Sequence, residues 1–404
     1  MRRVLASFAC LFPLACASDG GTAPEPVPPA ITITGVADGG TFSPPVTIGI
    51  AVSPGTYSAT LNGAPFLSGG TVTQPGSYTL VVDARNGLET RVEQIAFTLE
   101  AGGTGDVLIV RILDLGLGTF GAPGDAILLT DSSGFALAHA LIDAGARSND
   151  ESYVRQRLQA LDVDTLRFMQ MTHAHADHFA GMDEILNVAP HVRSFVFNGQ
   201  VRDQFSSYQN VLAAAQANAD TVTALDAIRT LELGAGPVAT EVTMIPGLGT
   251  YLGSHTNDGS DLNEGSIGTE VRHGDFRMFF TGDGEVAANA RWRTTFAALS
   301  GDIDVLKAGH HGANDAVFDD GSGFSNTSSA WLGHTQPTIA VISANGTSHP
   351  RVRALSKLMG ETTDVYCTNV HGEIRITVDE AGFYTIAVEK NADSDCVAGS
   401  EATT

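Results

Sequence analysis

The stretch Met171-Thr172-His173-Ala174-His175-Ala176-Asp177-His178-Phe179-Ala180-Gly181-Met182 decides how this chain is read. It follows the apolar run 166–171, which predicts a buried strand, and precedes a helical stretch. Four candidate ligands therefore share one tight connection. Imidazole nitrogens and carboxylate oxygens suit zinc and related divalent ions, and a loop clamped between two rigid elements can fix their geometry. The bland alternative is a polar turn with solvated histidines, but three histidines and an aspartate within six residues are too dense a cluster for that.

Two later segments can complete such a centre. Phe276-Arg277-Met278-Phe279-Phe280-Thr281-Gly282-Asp283-Gly284-Glu285 sets Asp283 just past the apolar run 271–280, read as one strand. A carboxylate between two cations is held ionised, whereas alone it would serve as a turn-forming residue. The next strand, 305–307, leads into Ala308-Gly309-His310-His311-Gly312-Ala313.

This order of motifs resembles the His-x-His-x-Asp-His signature of the metallo-β-lactamase superfamily. The resemblance implies that His173 and His175 bind a first metal, that Asp177 and His178 bind a second, and that Asp283 bridges them. It implies that one of His310 and His311 closes the second site while the other touches substrate; the sequence does not separate the two. It also implies two divalent ions, zinc first and manganese as the alternative, about 3.5–4 Å apart and lowering the pKa of a shared water.

A longer series is more specific. Asp114-Leu115-Gly116-Leu117-Gly118, Gly124-Asp125-Ala126, Leu141-Ile142-Asp143-Ala144-Gly145, Asn263-x-x-Ser266, Thr281-Gly282-Asp283, Leu306-Lys307-x-x-His310-His311-Gly312, Ser348-His349-Pro350 and His371-Gly372-Glu373-Ile374 resemble the hydrolase domain of competence-type DNA-internalisation proteins, over roughly residues 106–380. That implies an αββα sandwich and a site that cleaves phosphodiesters or phosphate esters. The chain departs from the pattern at His175, where the family often has Asp, at Leu117 for Gln, at Ala313 for Ser, and in a longer loop before Gly124; the channel-forming part of those proteins has no counterpart in this sequence.

Asp177, His310, His349 and Lys307 make up the expected catalytic set. His349, or whichever of His310 and His311 is not a ligand, would protonate the leaving oxygen; a helix-start role is the alternative for His349. Lys307 would neutralise a phosphate oxygen or serve as a structural lysine. A third ligand for the first metal is not evident, with His255 the candidate and a solvated loop histidine the alternative.

The rest of the chain frames this domain. Strand and helix patterns interleave from about residue 107, with strands at 107–113, 126–130, 166–171, 305–307 and 338–343 and a helix at 152–161, which predicts a layered α/β domain over 105–396 followed by a tail, 397–404. Short alternating runs separated by Gly, Pro and Asn predict a small all-β sandwich over 30–100. Its stretch 76–87 resembles the late strands of bacterial immunoglobulin-like modules, which implies a spacer or an adhesive unit. Residues 17–29, with Pro24, Pro26, Pro28 and Pro29, read as a tether. Met1-Arg2-Arg3 and the short apolar run 4–14 read as a signal peptide over 1–16. Pro13-Leu14-Ala15-Cys16 resembles a lipoprotein processing site, so the expectation is an exported protein, either attached to the cell envelope through a lipidated Cys16 or secreted. Beyond the leader, Cys367 and Cys396 are a candidate disulfide tying the C-terminal tail to the last sheet, or two free thiols.

The formal net charge of −23, from 22 basic and 45 acidic residues, repels polyanions from most of the surface. That weighs against broad electrostatic binding to nucleic acid or acidic lipid. A phosphate-bearing substrate must be attracted locally, as bound divalent ions can do. The leading expectation is thus an exported phosphodiesterase or nuclease acting on a small phosphate ester or nucleic acid, without a stable protein partner. The alternatives are a lactonase or β-lactamase using the same metal pair, and a surface adhesion protein with a degenerate hydrolase domain.

Overall fold

The computed structural model describes residues 27–42, 46–74, 76–87, 89–99, 106–116, 123–133, 137–145, 149–236, 238–247, 259–295, 303–321 and 327–399. The expected leader with Cys16, the tether up to residue 26, Leu117 and His255 lie outside these residues. The chain divides into two compact units, one running to Leu99 and the other from Glu100.

The first unit is built from period-two strands. In the strand Gly76–Asn86, Leu80, Val82 and Ala84 are buried while the residues between them are only partly covered. This strand sits in a five-stranded sheet of order Thr41–Phe42, Glu89–Leu99, Gly76–Asn86, Thr56–Leu61, Ala64–Pro65. A three-stranded sheet, Ala30–Thr34, Val46–Ser53 and Gly70–Val72, contributes Ile48, Ile50 and Val72 to the shared core with Leu80, Val82, Ile95 and Phe97.

The second unit holds two larger sheets. The eight-stranded sheet runs Ala219–Ala224, His191–Phe197, Thr165–Met171, Ala138–Ile142, Ile127–Asp131, Leu108–Ile112, Ile374–Val378, Tyr384–Val388. The seven-stranded sheet runs Arg229–Glu232, Glu241–Ile245, Gly268–His273, Phe276–Phe280, Val305–Lys307, Ile339–Ile342, Asp364–Cys367. Strands such as Ile127–Asp131 are buried at every position, as sheets covered on both faces require. Their alternate residues enter different cores. Ile127 and Leu129 join Val242, Met244, Phe276, Met278 and Phe280 in the core between the sheets. Leu128 packs outward with Val154 and Leu158 of the helix Asn149–Ala160, and with Met182 and Ile185 of Met182–Val188. On the other outer face Phe279 meets Trp292 and Trp331, which lie on the helices Val286–Thr295 and Ala330–Thr335. Helix, sheet, sheet, helix is the four-layer αββα sandwich expected from the sequence.

One expected element divides. The run 271–280 is two strands, Gly268–His273 and Phe276–Phe280, paired antiparallel with His273 opposite Phe276. Gly274, at φ 57°, occupies the first position of the two-residue turn, where a backbone with positive φ matches the twist of the flanking strands.

Parallel pairing sets the site. Ala138–Ile142 and Thr165–Met171 are parallel neighbours, as are Phe276–Phe280, Val305–Lys307 and Ile339–Ile342. Their carboxyl ends therefore emerge on one edge of each sheet. A disulfide joins Cys367, at the end of the strand Asp364–Cys367, to Cys396, with Cα atoms 5.7 Å apart.

Candidate metal centre

The loop after Met171 is organised by Asp143, which sits just past the strand Ala138–Ile142 in the left-handed region at φ 56°. Its carboxylate accepts the Thr172 backbone N–H at 2.8 Å, the Thr172 hydroxyl at 2.6 Å and the His178 Nδ1–H at 2.8 Å. Because the Thr172 hydroxyl proton goes to Asp143, its oxygen is free to accept from His173 Nδ1, 3.1 Å away. One buried carboxylate thus sets the tautomer of two imidazoles, directly for His178 and through Thr172 for His173. In both rings the remaining lone pair is on Nε2.

Those lone pairs converge on Asp283. His178 Nε2 lies 3.1 Å from Asp283 Oδ2, and His173 Nε2 lies 3.8 Å from the same oxygen. His173 Nε2 is also 3.0 Å from His175 Nδ1. His311 Nε2 stands 3.4 Å from Asp283 Oδ2 and 3.5 Å from Asp177 Oδ2. His178 Nε2, both ring nitrogens of His311 and Asp283 Oδ1 are buried without a hydrogen-bond partner. A lone pair facing a carboxylate oxygen is repelled by it, and a cation between them makes the contact attractive. Two donor groups result: His173, His175 and Asp283, and Asp177, His178, Asp283 and His311, each with ligand atoms within 4.8 Å of one another. Asp283 belongs to both. Nitrogen and carboxylate oxygen in these numbers fit a pair of divalent ions such as zinc.

The local field points the same way. Burial alone would raise the Asp283 carboxyl, but the charges of His178 and His311 outweigh it and hold the group well below the usual carboxylate range. Burial alone would lower His178, yet Asp283, Asp143 and Asp177 pull it well above its ordinary value. The space around His178 Nε2 selects for positive charge.

Each loop is held by its neighbours. The Asp283 N–H donates to Ser266 Oγ, and the Thr281 hydroxyl to the Lys307 carbonyl. Gly124 has φ 63°, and a side chain there would press on the Asp177 carbonyl, its Cβ only 2.9 Å away. The Ala174 backbone is gripped at both ends, its N–H donating to Gln200 Oε1 and its carbonyl accepting from Arg202 Nη1.

His310 and His311, indistinguishable by sequence, are separated here. Both adopt positive φ, 44° and 53°, followed by Gly312 at 79°. Such backbone is uncommon for a non-glycine residue and concentrates at functional sites. It turns His311 into the second donor group and His310 away from it. His310 Nδ1 lies 3.1 Å from Asp315 Oδ1 and 3.2 Å from Glu285 Oε1. Burial would lower His310, but the hydrogen bonds to Asp315 and Glu285 outweigh it and raise the ring well above its ordinary value. Asn263 Nδ2 donates to the same Glu285 oxygen, at 2.6 Å.

His349 stands nearby, its ring centre 5.6 Å from that of His310 and 6.0 Å from that of His311. Burial and then the charges of His311, His310 and Arg351 push it down to about 3, so it is neutral. Lys307 is not at the mouth of the site. It is fully buried, with Nζ 2.9 Å from Asp125 Oδ2 and 3.3 Å from the Ala308 carbonyl, and offers nothing to a phosphate. Alternation explains this: Val305 enters the core between the sheets and Leu306 the outer core, so Lys307 points inward again. Asp125 in turn lies 3.8 Å from His311 Nδ1. Sequence reading gave no role to Asp125, Asp143, Glu285, Asp315, Gln200 or Arg202; for the first two the signal was their place in turns of the motif series.

No protein-family model and no curated protein sequence matches this chain. Among solved structures it is similar to a mutant of the CmlA β-hydroxylase, at 15% identity and a TM-score of 0.39, over 69% of this chain and 55% of that one. It is similar to a diphosphatase from the PhnP family, at 12% identity and a TM-score of 0.33, over 65% of this chain and 86% of that one. It is similar also to zinc-bound PqqB from Methylobacterium extorquens, at 17% identity and a TM-score of 0.26, over 44% and 58%. The chain thus spans little more than half the length of the CmlA and PqqB chains.

Proposed function

We propose that this protein is an exported, metal-dependent hydrolase of the competence-type branch of the metallo-β-lactamase superfamily, acting on phosphate esters. The observation that carries the reading is Asp283, a buried carboxylate common to two donor groups whose other members have their lone pairs turned toward it. Leader and export rest on the sequence of residues 1–16, and the immunoglobulin-like unit is read as a spacer.

His173, His175 and Asp283 would hold one ion, and Asp177, His178, Asp283 and His311 the other. Divalent ions there would supply Lewis acidity toward a phosphoryl oxygen and a nucleophilic water at neutral pH. The chain's own residues do the rest. Asp143 and Thr172 keep the His178 and His173 donor atoms aimed inward. His310, with Nδ1 pinned between Glu285 and Asp315, carries a proton that its other nitrogen can pass to a leaving oxygen. Neutral His349 beside it is suited to hydrogen-bond the substrate.

The test is to purify the chain, quantify bound metal, and assay bis-p-nitrophenyl phosphate, single-stranded DNA, a lactone and nitrocefin, with Asp283→Ala as control. Phosphodiester turnover with close to two bound ions, lost in the variant, is the expected result. Turnover of the lactone or nitrocefin alone would replace this reading with the lactonase or β-lactamase one. A folded protein without metal or turnover would leave an adhesion role.

A further inference from the structure

The segment that grips Ala174 also carries an exposed aromatic ring. Arg202 donates from Nη1 to the Ala174 carbonyl at 2.9 Å, between His173 and His175. The guanidinium carbon of Arg202 lies over the Phe205 ring, 4.0 Å from its centre. Phe205 itself is 43% exposed, a large apolar side chain left open to solvent at the start of the helix Ser206–Asn218. Arg202 Nε is buried without a hydrogen-bond partner. In a chain with a net charge of −23, a fixed cation beside the metal loop is a local attractor for anions.

An aromatic ring stacked with a guanidinium is the surface on which nucleobases settle, because every base has a π face and both groups can stack against it. We infer that Arg202 and Phe205 form a specificity subsite for a planar aromatic substituent of the phosphate ester, a nucleobase above all. The preferred substrate is then a nucleotide ester rather than an alkyl one. Arg202, hydrogen-bonded to the loop that carries His173 and His175, would face the phosphate, and the exposed Phe205 ring the base. This inference rests on the phosphoesterase reading for its catalytic consequence but not for its binding consequence.

The experiment uses the zinc-loaded full chain, wild type and Phe205→Ala, with Phe205→Trp as the conservative variant. Calorimetric titration with adenosine 5′-monophosphate and with ribose 5-phosphate reads binding. KM and kcat for thymidine 5′-(p-nitrophenyl) phosphate and methyl p-nitrophenyl phosphate read turnover. Phe205→Ala is expected to weaken the adenosine nucleotide about tenfold relative to ribose 5-phosphate, a loss in the range of base stacking on one aromatic side chain. The KM ratio between the two esters should shift by a similar factor with the kcat ratio held, and Trp should restore both. Equal changes for base-bearing and base-free ligands, or none, would overturn the subsite. Wild-type protein that binds the nucleotide through Phe205 but turns over no phosphodiester would sink the enzymatic reading and leave the subsite standing.

Discussion

Lys307 Nζ and the Asp125 carboxylate form an ion pair of 2.9 Å, and both side chains are almost completely buried. Lys307 ends a strand of the seven-stranded sheet, and Asp125 precedes a strand of the eight-stranded one. Removing one partner leaves the other charge unpaired in the interior, which typically costs 3–5 kcal/mol, whereas replacing both with neutral groups is often close to neutral. Lys307→Met should therefore lower the free energy of unfolding in urea by about 3–5 kcal/mol. The double variant Lys307→Met with Asp125→Asn should recover most of that; a double variant no more stable than the single one would show that the pair is not the source.

Asp143 orients two histidines at once, so its removal should act on metal before it acts on chemistry. Asp143→Asn is expected to weaken metal affinity about 10–100-fold, measured by competition with a chromophoric chelator. Unchanged affinity would mean that the hydrogen bonds to Thr172 and His178 do not set the donor atoms.

His311 and His310 should separate by stoichiometry. His311→Ala is expected to lose one of two bound ions in elemental analysis. His310→Ala should keep both and lose roughly 10²–10⁴-fold in kcat, the usual contribution of a positioned proton donor. The opposite pattern of metal loss would reverse their assignment.

The cross-link from Cys367 to Cys396 spans a sequence separation of 29 residues. Chain-entropy reasoning for a loop of that length gives about 3–4 kcal/mol of stability. Cys396→Ser should shift the urea midpoint down accordingly, with metal content retained. Loss of metal in that variant would show that the C-terminal segment supports the centre as well.

The donor residues were legible because five of them lie in short motifs whose spacing survives without knowledge of the fold: His173, His175, Asp177 and His178 within one loop, Asp283 behind one apolar run. His310 and His311 were not, because positive φ at both decides which ring turns inward, and side-chain identity carries no trace of that. Of the two roles open to Lys307, the structural one holds, because strand parity decides it: two residues after inward-facing Val305, Lys307 faces inward too. The strand over 271–280 was merged across Gly274-Asp275, a turn signal short enough to be lost inside apolar neighbours. Glu285 and Arg202 act from loops, and Asp315 from the short helix Asn314–Val317, all brought to the site by tertiary packing alone.

The donor groups draw His173, His175, Asp177 and His178 from one half of the sandwich and Asp283 and His311 from the other. Neither donor group is complete within one half, so full capture of metal would be a late event in maturation, once the halves have closed. Inside a cell, the same polypeptide before closure would be a poor competitor for zinc and inert toward esters. Catalytic competence would then arrive together with the finished tertiary structure.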